Sequence, residues 1–205
     1  MASATPLEVP DQKDFRRTMG LFATGVTVLA THSPDGIVAM TANAISSVSL
    51  EPLLVLTCVD HRARFAAWLA PDLSFSINFL RDDQEVLSRY FAGGWRDHPA
   101  PEYRFEPWGS TPRLVGALAA VRCDVDSLYD GGDHWIVVGR VVGINEGIAP
   151  WNPLLFYAGR YRRLAPLVTP TAPPEEWGPD GISVYYEQWD APGRVPGAEP
   201  AEPLG

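Results

Sequence analysis

The 205 residues suit one folded domain with appended tails, and 46% apolar with 20% charged residues is enough to bury a core in water. A net charge of -9 argues against nucleic-acid binding, and no apolar run approaches the roughly 20 residues that a membrane-spanning helix requires. MASATPLEVPDQKD lacks the basic and then apolar pattern of a secretory signal, and Cys58 and Cys123 lie inside apolar runs, so reduced core thiols in a cytoplasmic protein are expected.

Asp11 is a plausible N-cap, and Phe15, Met19 and Phe22 recur at helical spacing, which predicts a helix from Gln12 to Ala23. VTVLAT (Val26 to Thr31) reads as a strand, Ser33-Pro34-Asp35-Gly36 as a hairpin turn, and Ile37 to about Ala44 as the returning strand. A polar stretch leads to LLVLTCV (Leu53 to Val59), a buried strand apolar on both faces. Short helices are expected over Ala63 to Leu69 and Gln84 to Phe91, with an alternating strand, Leu73 to Leu80, between them. Ala92 to Thr111 has no clear period and predicts a long loop, of the kind that serves as a lid or interface. Leu114 to Tyr129 and His134 to Ile144 read as long strands joined by a tight turn at Asp130-Gly131-Gly132-Asp133, and Leu154 to Tyr157 closes the set. Hairpin-linked strands with few helices predict a mainly β protein built as an antiparallel barrel.

The composition shifts after Arg163. Nine of the 20 prolines lie in residues 166–205, together with seven acids against Arg194 alone, so this segment carries -6 of the total charge. The expected organisation is an arm over residues 1–13, a domain over 14–164, and a Pro-rich acidic, largely extended tail over 165–205. Within that tail GISVYYEQW (Gly181 to Trp189) is unusually aromatic for a linker.

No GxGxxG, P-loop, GxSxG, HExxH or CxxC pattern occurs, so a dinucleotide would be bound outside a Rossmann unit. The four histidines lack metal-ligand spacing, and no metal is expected. Three features carry chemistry. MTANAISSVSLEPLLVLTCVD (Met40 to Asp60) gathers small hydroxyl and amide side chains at a strand end, suited either to a polar ligand or to a solvated connection. His61, Arg62 and Arg64 lie just before or within the first turn of a predicted helix, where arginines and freed amides cradle phosphate unless they are merely surface charges. Gly131-Gly132-Asp133-His134 is a turn whose histidine is either a strand start or a ligand-facing group.

In order, FRRTMGLFATGVTVLAT, MTANAISSVSLEPLLVLTCVD, FSINFL, QEVLSRYFAG, GDHWIVVGRV and PLLFYAGRYRRL resemble the flavin reductase-like family over Asp14 to Leu164. The resemblance implies an antiparallel Greek-key split β-barrel with a few flanking helices, binding FMN or FAD and using NADH or NADPH as hydride donor. It implies that Thr41, Ala42, Asn43, Ala44, Ser46 and Ser47 line the flavin ring and ribityl chain, with Cys58, Val59 and Asp60 beside them. The segment that reaches the phosphate, hydroxyl-rich in relatives, is here His61, Arg62, Ala63, Arg64 and Phe65, so arginine charge and backbone amides replace hydroxyl donors. Asn78, Phe79 and Phe91 correspond to positions near the flavin, Arg160 and Tyr161 flank the pocket, and His134 approaches the nicotinamide. The implied assembly is a homodimer that supplies reduced flavin to a monooxygenase. A self-sufficient flavin oxidoreductase and a non-catalytic flavin- or haem-binding module remain the alternatives.

Overall fold

The computed structural model describes residues 9–95, 97–147 and 152–164. The acidic tail, with Gly181 to Trp189, lies outside the described residues, as does most of the arm.

Asp11 caps α1 (Gln12–Met19), its carboxylate accepting the Asp14 N–H at 2.7 Å. The helix is shorter than its apolar spacing suggests, because Gly20 closes it with an N–H to the Arg16 carbonyl. Phe15, Met19 and Phe22 are exposed, so this apolar stripe is not part of the core. After the short β1 (Thr24–Gly25) come β2 (Thr27–Ser33) and β3 (Gly36–Ala42), joined by the tight turn at Ser33 to Gly36.

The polar stretch after β3 is a strand, β4 (Ile45–Leu50), which pairs with β5 (Leu53–Asp60). Its serines give no apolar alternation, and Ser46, Ser47, Val48 and Leu50 are all exposed on this edge strand. The helix expected at Ala63 to Leu69 reduces to a single 3-10 turn, Ala66–Trp68. Pro71 disfavours helical backbone at Ala70, which leaves the segment no room for a second turn. Next are β6 (Ser74–Phe79) and α2 (Glu85–Phe91). The expected long loop contains β7 (Phe105–Trp108), which pairs with β8 (Thr111–Leu114). Gly116, at φ +77°, separates β8 from β9 (Ala119–Asp130), so the single long strand expected from Leu114 is two. The chain continues through β10 (His134–Glu146), β11 (Leu155–Tyr157) and β12 (Arg160–Arg162).

The main sheet is antiparallel and seven-stranded, in the order β3-β2-β6-β9-β10-β5-β4, with smaller sheets β1-β11-β12 and β7-β8 beside it. The fold is therefore mainly β, as expected. Among the described residues no ladder joins the edges β3 and β4, so hydrogen bonds do not close the sheet into a complete barrel. Side chains link what hydrogen bonds do not. Val38 and Ala42 of β3 share one core with Val59 of β5, Phe75 of β6 and Val137 of β10, and Ile45 of β4 packs against it. The sheet must curl for both edges to reach that cluster. Register shifts near Gly139 and Gly143 provide curvature, and Gly139 has no room for a side chain, since a Cβ there would lie 2.9 Å from Phe75. A second core of Val26, Val28, Leu80, Leu87, Leu114 and Leu154 seats α2 against the sheet.

Candidate active site

Between the free edge of β3 and the C-terminal end of α2 lies a cavity of about 580 Å³, within the range of small-molecule sites. Met40 and Thr41 of β3, the turn Ala63-Arg64-Phe65, and Tyr90, Phe91 and Tyr103 contribute to its lining. The three aromatic rings touch one another, with centroids 5.0 to 5.5 Å apart, and form one apolar wall. A smaller recess of about 180 Å³ shares Thr41 with it and adds Ala42, Asn43, Ser88, Phe156 and Tyr161.

Thr41 fixes the two together. Its Oγ1 donates to the Ser88 carbonyl at 2.7 Å, which pins α2 to β3. Ser88 Oγ and Tyr161 Oη lie 2.8 Å apart, and the Arg89 guanidinium sits 4.9 Å from the Tyr161 ring. Thus α2, β3 and β12 meet in one network around the recess. Asn43 is held differently, its Nδ2 donating to Thr24 Oγ1 at 3.2 Å.

Next to the turn Ala63-Arg64-Phe65, the paired ends of β5 and β10 are polar. β5 and β10 pair so that Asp60 stands opposite His134 and Val59 opposite Trp135. The Arg62 backbone N–H and Nε both reach Asp60 Oδ1, at 2.8 and 3.1 Å, and Nη2 reaches Oδ2 at 2.8 Å. This fork holds the Asp60 carboxyl far below its usual range. Asp133 Oδ1 lies 2.6 Å from His134 Nδ1, and that contact lowers the Asp133 carboxyl as well. The His61 N–H donates to the Asp133 carbonyl at 3.1 Å, and its ring packs 4.9 Å from Trp135, so the β9–β10 turn and the 61–65 turn brace each other.

The two arginines expected to act together are separated in role. Arg62 is committed to Asp60, whereas Arg64 lines the cavity, is exposed, and makes no ion pair or hydrogen bond among the described residues. An unpaired guanidinium beside an apolar, aromatic-walled cavity suits a flat ring carrying an anionic tail, and the donor set therefore fits a flavin nucleotide.

Of the residues singled out by sequence, Thr41, Ala63, Arg64, Phe65 and Phe91 meet at the larger cavity, and Ala42, Asn43 and Tyr161 at the recess. Asp60, His61, Arg62 and His134 line neither cavity and gather at the paired ends of β5 and β10, next to the turn that supplies Ala63, Arg64 and Phe65. The others stand apart from both cavities. Val59 is in the core, and Cys58 is half-buried, its thiol pushed up by burial. Ala44, Ser46, Ser47 and Arg160 are exposed, and Ser46 Oγ donates to the Ser47 carbonyl. Asn78 is fully buried, donating to the Val28 carbonyl and Ser76 Oγ and accepting the Leu114 N–H. Its neighbour Phe79 is half-buried in β6. Sequence reasoning missed Tyr90, Tyr103 and Ser88. The aromatic loop after Ala92 signalled Tyr103, but nothing local showed that it folds onto α2. Among the described residues no cluster of three or more His, Cys, Asp or Glu side chains could hold a metal ion.

Residues 19–165 match the family model described as the flavin reductase like domain. The chain is 37% identical over 173 residues to the "Flavin-dependent monooxygenase, reductase subunit HsaB" of Rhodococcus jostii, covering 83% of this chain and 87% of the relative. It is 38% identical over 173 residues to the "NADH-dependent FAD reductase" of Streptomyces globisporus, covering 80% of this chain and 93% of that protein. Among solved structures, "Flavin reductase PheA2 in native state" superposes with a TM-score of 0.70 at 39% identity, covering 76% of this chain and 99% of that one.

Proposed function

The chain belongs to the flavin reductase like family, and from that premise we propose how its residues divide the work of an NAD(P)H:flavin oxidoreductase that supplies reduced flavin to a partner monooxygenase. The observation that carries the site assignment is Arg64, a cation with no ion pair or hydrogen bond among the described residues, at an aromatic-walled cavity of about 580 Å³.

In this reading Thr41, Ala63, Phe65 and Phe91 bound the flavin ring and Arg64 answers its phosphate. Bound flavin supplies hydride acceptance and electron delivery, chemistry intrinsic to its ring system. The protein's part is therefore placement. Thr41, with its hydroxyl proton committed to Ser88, offers lone pairs to a ligand N–H and holds α2 in place as a wall. Arg62 neutralises Asp60, so that the end of β5 does not repel an anionic ligand. His134, at the start of β10, meets the nicotinamide carboxamide and orients the donor for transfer. NADH with FMN or FAD is the cofactor pair.

The assembly is a homodimer. The exposed Phe15, Met19, Leu21 and Phe22 near α1, with Val48, Leu50 and Leu53 around β4, supply apolar surface for it. Among the described residues no helix is long and apolar enough to cross a membrane, and we place the protein in the cytoplasm. The partner monooxygenase receives flavin by diffusion, which requires a cleft open enough for release.

The deciding assay crosses NADH and NADPH with FMN and FAD and follows nicotinamide oxidation by the purified protein. Turnover with at least one pair is expected. Absence of oxidation with all four pairs would overturn the assignment.

A further inference from the structure

The turn between β9 and β10 places a carboxylate on one nitrogen of His134. Asp133 Oδ1 lies 2.6 Å from Nδ1. An ionised carboxylate can only accept, so Nδ1 carries the hydrogen of this contact. In a neutral imidazole the other nitrogen, Nε2, is then a lone pair and accepts. Left to itself, a neutral histidine side chain could carry its proton on either nitrogen, and here one choice is made by the neighbouring residue.

Asp133 is anchored for that task. Its carbonyl accepts the His61 N–H at 3.1 Å, which ties it to the segment that supplies Ala63, Arg64 and Phe65 to the cavity. One residue earlier, the Gly132 N–H donates to Asp130 Oδ1 at 2.9 Å, and Gly132 adopts φ +89°, a conformation that lets the turn reverse without strain. The carboxylate thus comes from a backbone held on both sides, although the side chain itself is 83% exposed.

We propose that Asp133 is a positioning residue that fixes the His134 tautomer so that Nε2 accepts a hydrogen bond from the carboxamide –NH2 of the nicotinamide donor. This rests on the reading that His134 meets the nicotinamide. The carboxamide has two edges, a carbonyl that accepts and an amino group that donates. An accepting Nε2 selects the amino edge, and with it the rotation of the carboxamide that the site holds. The site then discriminates for a primary amide against ring substituents that keep the carbonyl but lack N–H.

Two measurements test this. The first uses the protein without cofactor, at about pH 8.5, roughly two units above the ordinary imidazole value. Nitrogen-15 spectra of the four histidine rings, with His134 assigned by its loss in His134→Gln, are expected to show the Nδ1–H form. Asp133→Ala is expected to move that ring toward Nε2–H. An Nε2–H ring in the unmodified protein, or no change in Asp133→Ala, would overturn the proposal.

The second compares NADH with its reduced 3-acetylpyridine analogue, which has a methyl in place of the amino group. The unmodified protein is expected to show a KM about tenfold lower for NADH, the scale of one hydrogen bond left unpaired. Asp133→Ala is expected to raise the NADH KM and leave that of the analogue unchanged, which removes the discrimination. If both KM values rise together, Asp133 supports the turn and nothing more. If His134→Ala leaves the NADH KM unchanged, the nicotinamide contact itself is wrong. If His134→Ala raises it while Asp133→Ala keeps full discrimination, only the tautomer assignment falls.

Discussion

Arg64→Ala removes a guanidinium that lines the larger cavity and is engaged by no described residue. Two unit charges at 4 Å attract by about 1 kcal/mol in bulk water and by about 4 kcal/mol at an effective dielectric near 20. Arg64 is exposed, so the lower part of that range applies, about 1 to 2 kcal/mol. That corresponds to a roughly fivefold to thirtyfold rise in the flavin Kd. Titration of flavin fluorescence at low and high salt measures it, and the difference between Arg64→Ala and the unmodified protein should shrink as salt rises. Arg62→Gln is the comparison. Its Nε and Nη2 already engage Asp60 at 3.1 and 2.8 Å, so it offers a ligand little direct attraction, and its loss, felt only through an Asp60 charge no longer neutralised, should raise the flavin Kd by less than Arg64→Ala does. A flavin Kd that is unchanged in Arg64→Ala but raised in Arg62→Gln would refute the division of roles between the two arginines.

Asn78→Ala leaves the buried Leu114 N–H and Val28 carbonyl without their amide partner and should cost about 2 to 4 kcal/mol in denaturant unfolding, with flavin affinity per folded molecule retained. Asp60 has a carboxyl depressed by Arg62, so its contribution to stability is fully present above the ordinary carboxylate value, roughly pH 4, and is lost as pH falls through the lower folded-state value. A carbon-13 titration of its carboxylate should therefore show a midpoint below that of free aspartate, and an ordinary midpoint would remove the fork. Cys123 is fully buried with its thiol pushed up to about 12, mainly by desolvation and then by Asp124, so a thiol reagent should leave it unmodified until the protein unfolds. Cys58, half-buried, should react first, and the reverse order would contradict the packing of β5 and β9.

Most strands were legible because their side chains alternate or their turns carry Gly, Pro and Asp at the right places, as at Ser33 to Gly36 and Asp130 to Asp133. What escaped has a physical cause in each case. β4 mixes Ser46, Ser47 and Ser49 with Val48 and Leu50, so its sequence lacks the apolar alternation of a strand, and only pairing with β5 makes it one. Ala63 to Leu69 carries helical spacing, yet Pro71 and the Asp60–Arg62 fork confine it to a turn. Phe15 and Met19 lie in α1 as their spacing predicts, but Gly20 ends the helix before Phe22, and periodicity cannot tell a face buried in the fold from one left exposed.

The sequence by itself determined the mainly β class, the tight turns, and a set of small polar and cationic residues suited to a polar, phosphate-bearing ligand. These follow from local sterics and from side-chain chemistry, which each residue carries wherever it is placed. Only the tertiary structure decided what each residue has left to offer. It spent Asn78 on three internal hydrogen bonds and Arg62 on Asp60, and brought Tyr90 and Tyr103 to the cavity from segments far from Thr41. A guanidinium two residues along the chain was left without a partner among the described residues, and the register of β5 against β10 placed His134 opposite Asp60. Availability of a donor or a charge depends on its neighbours in space, and those are set by strand pairing and packing, not by spacing along the chain.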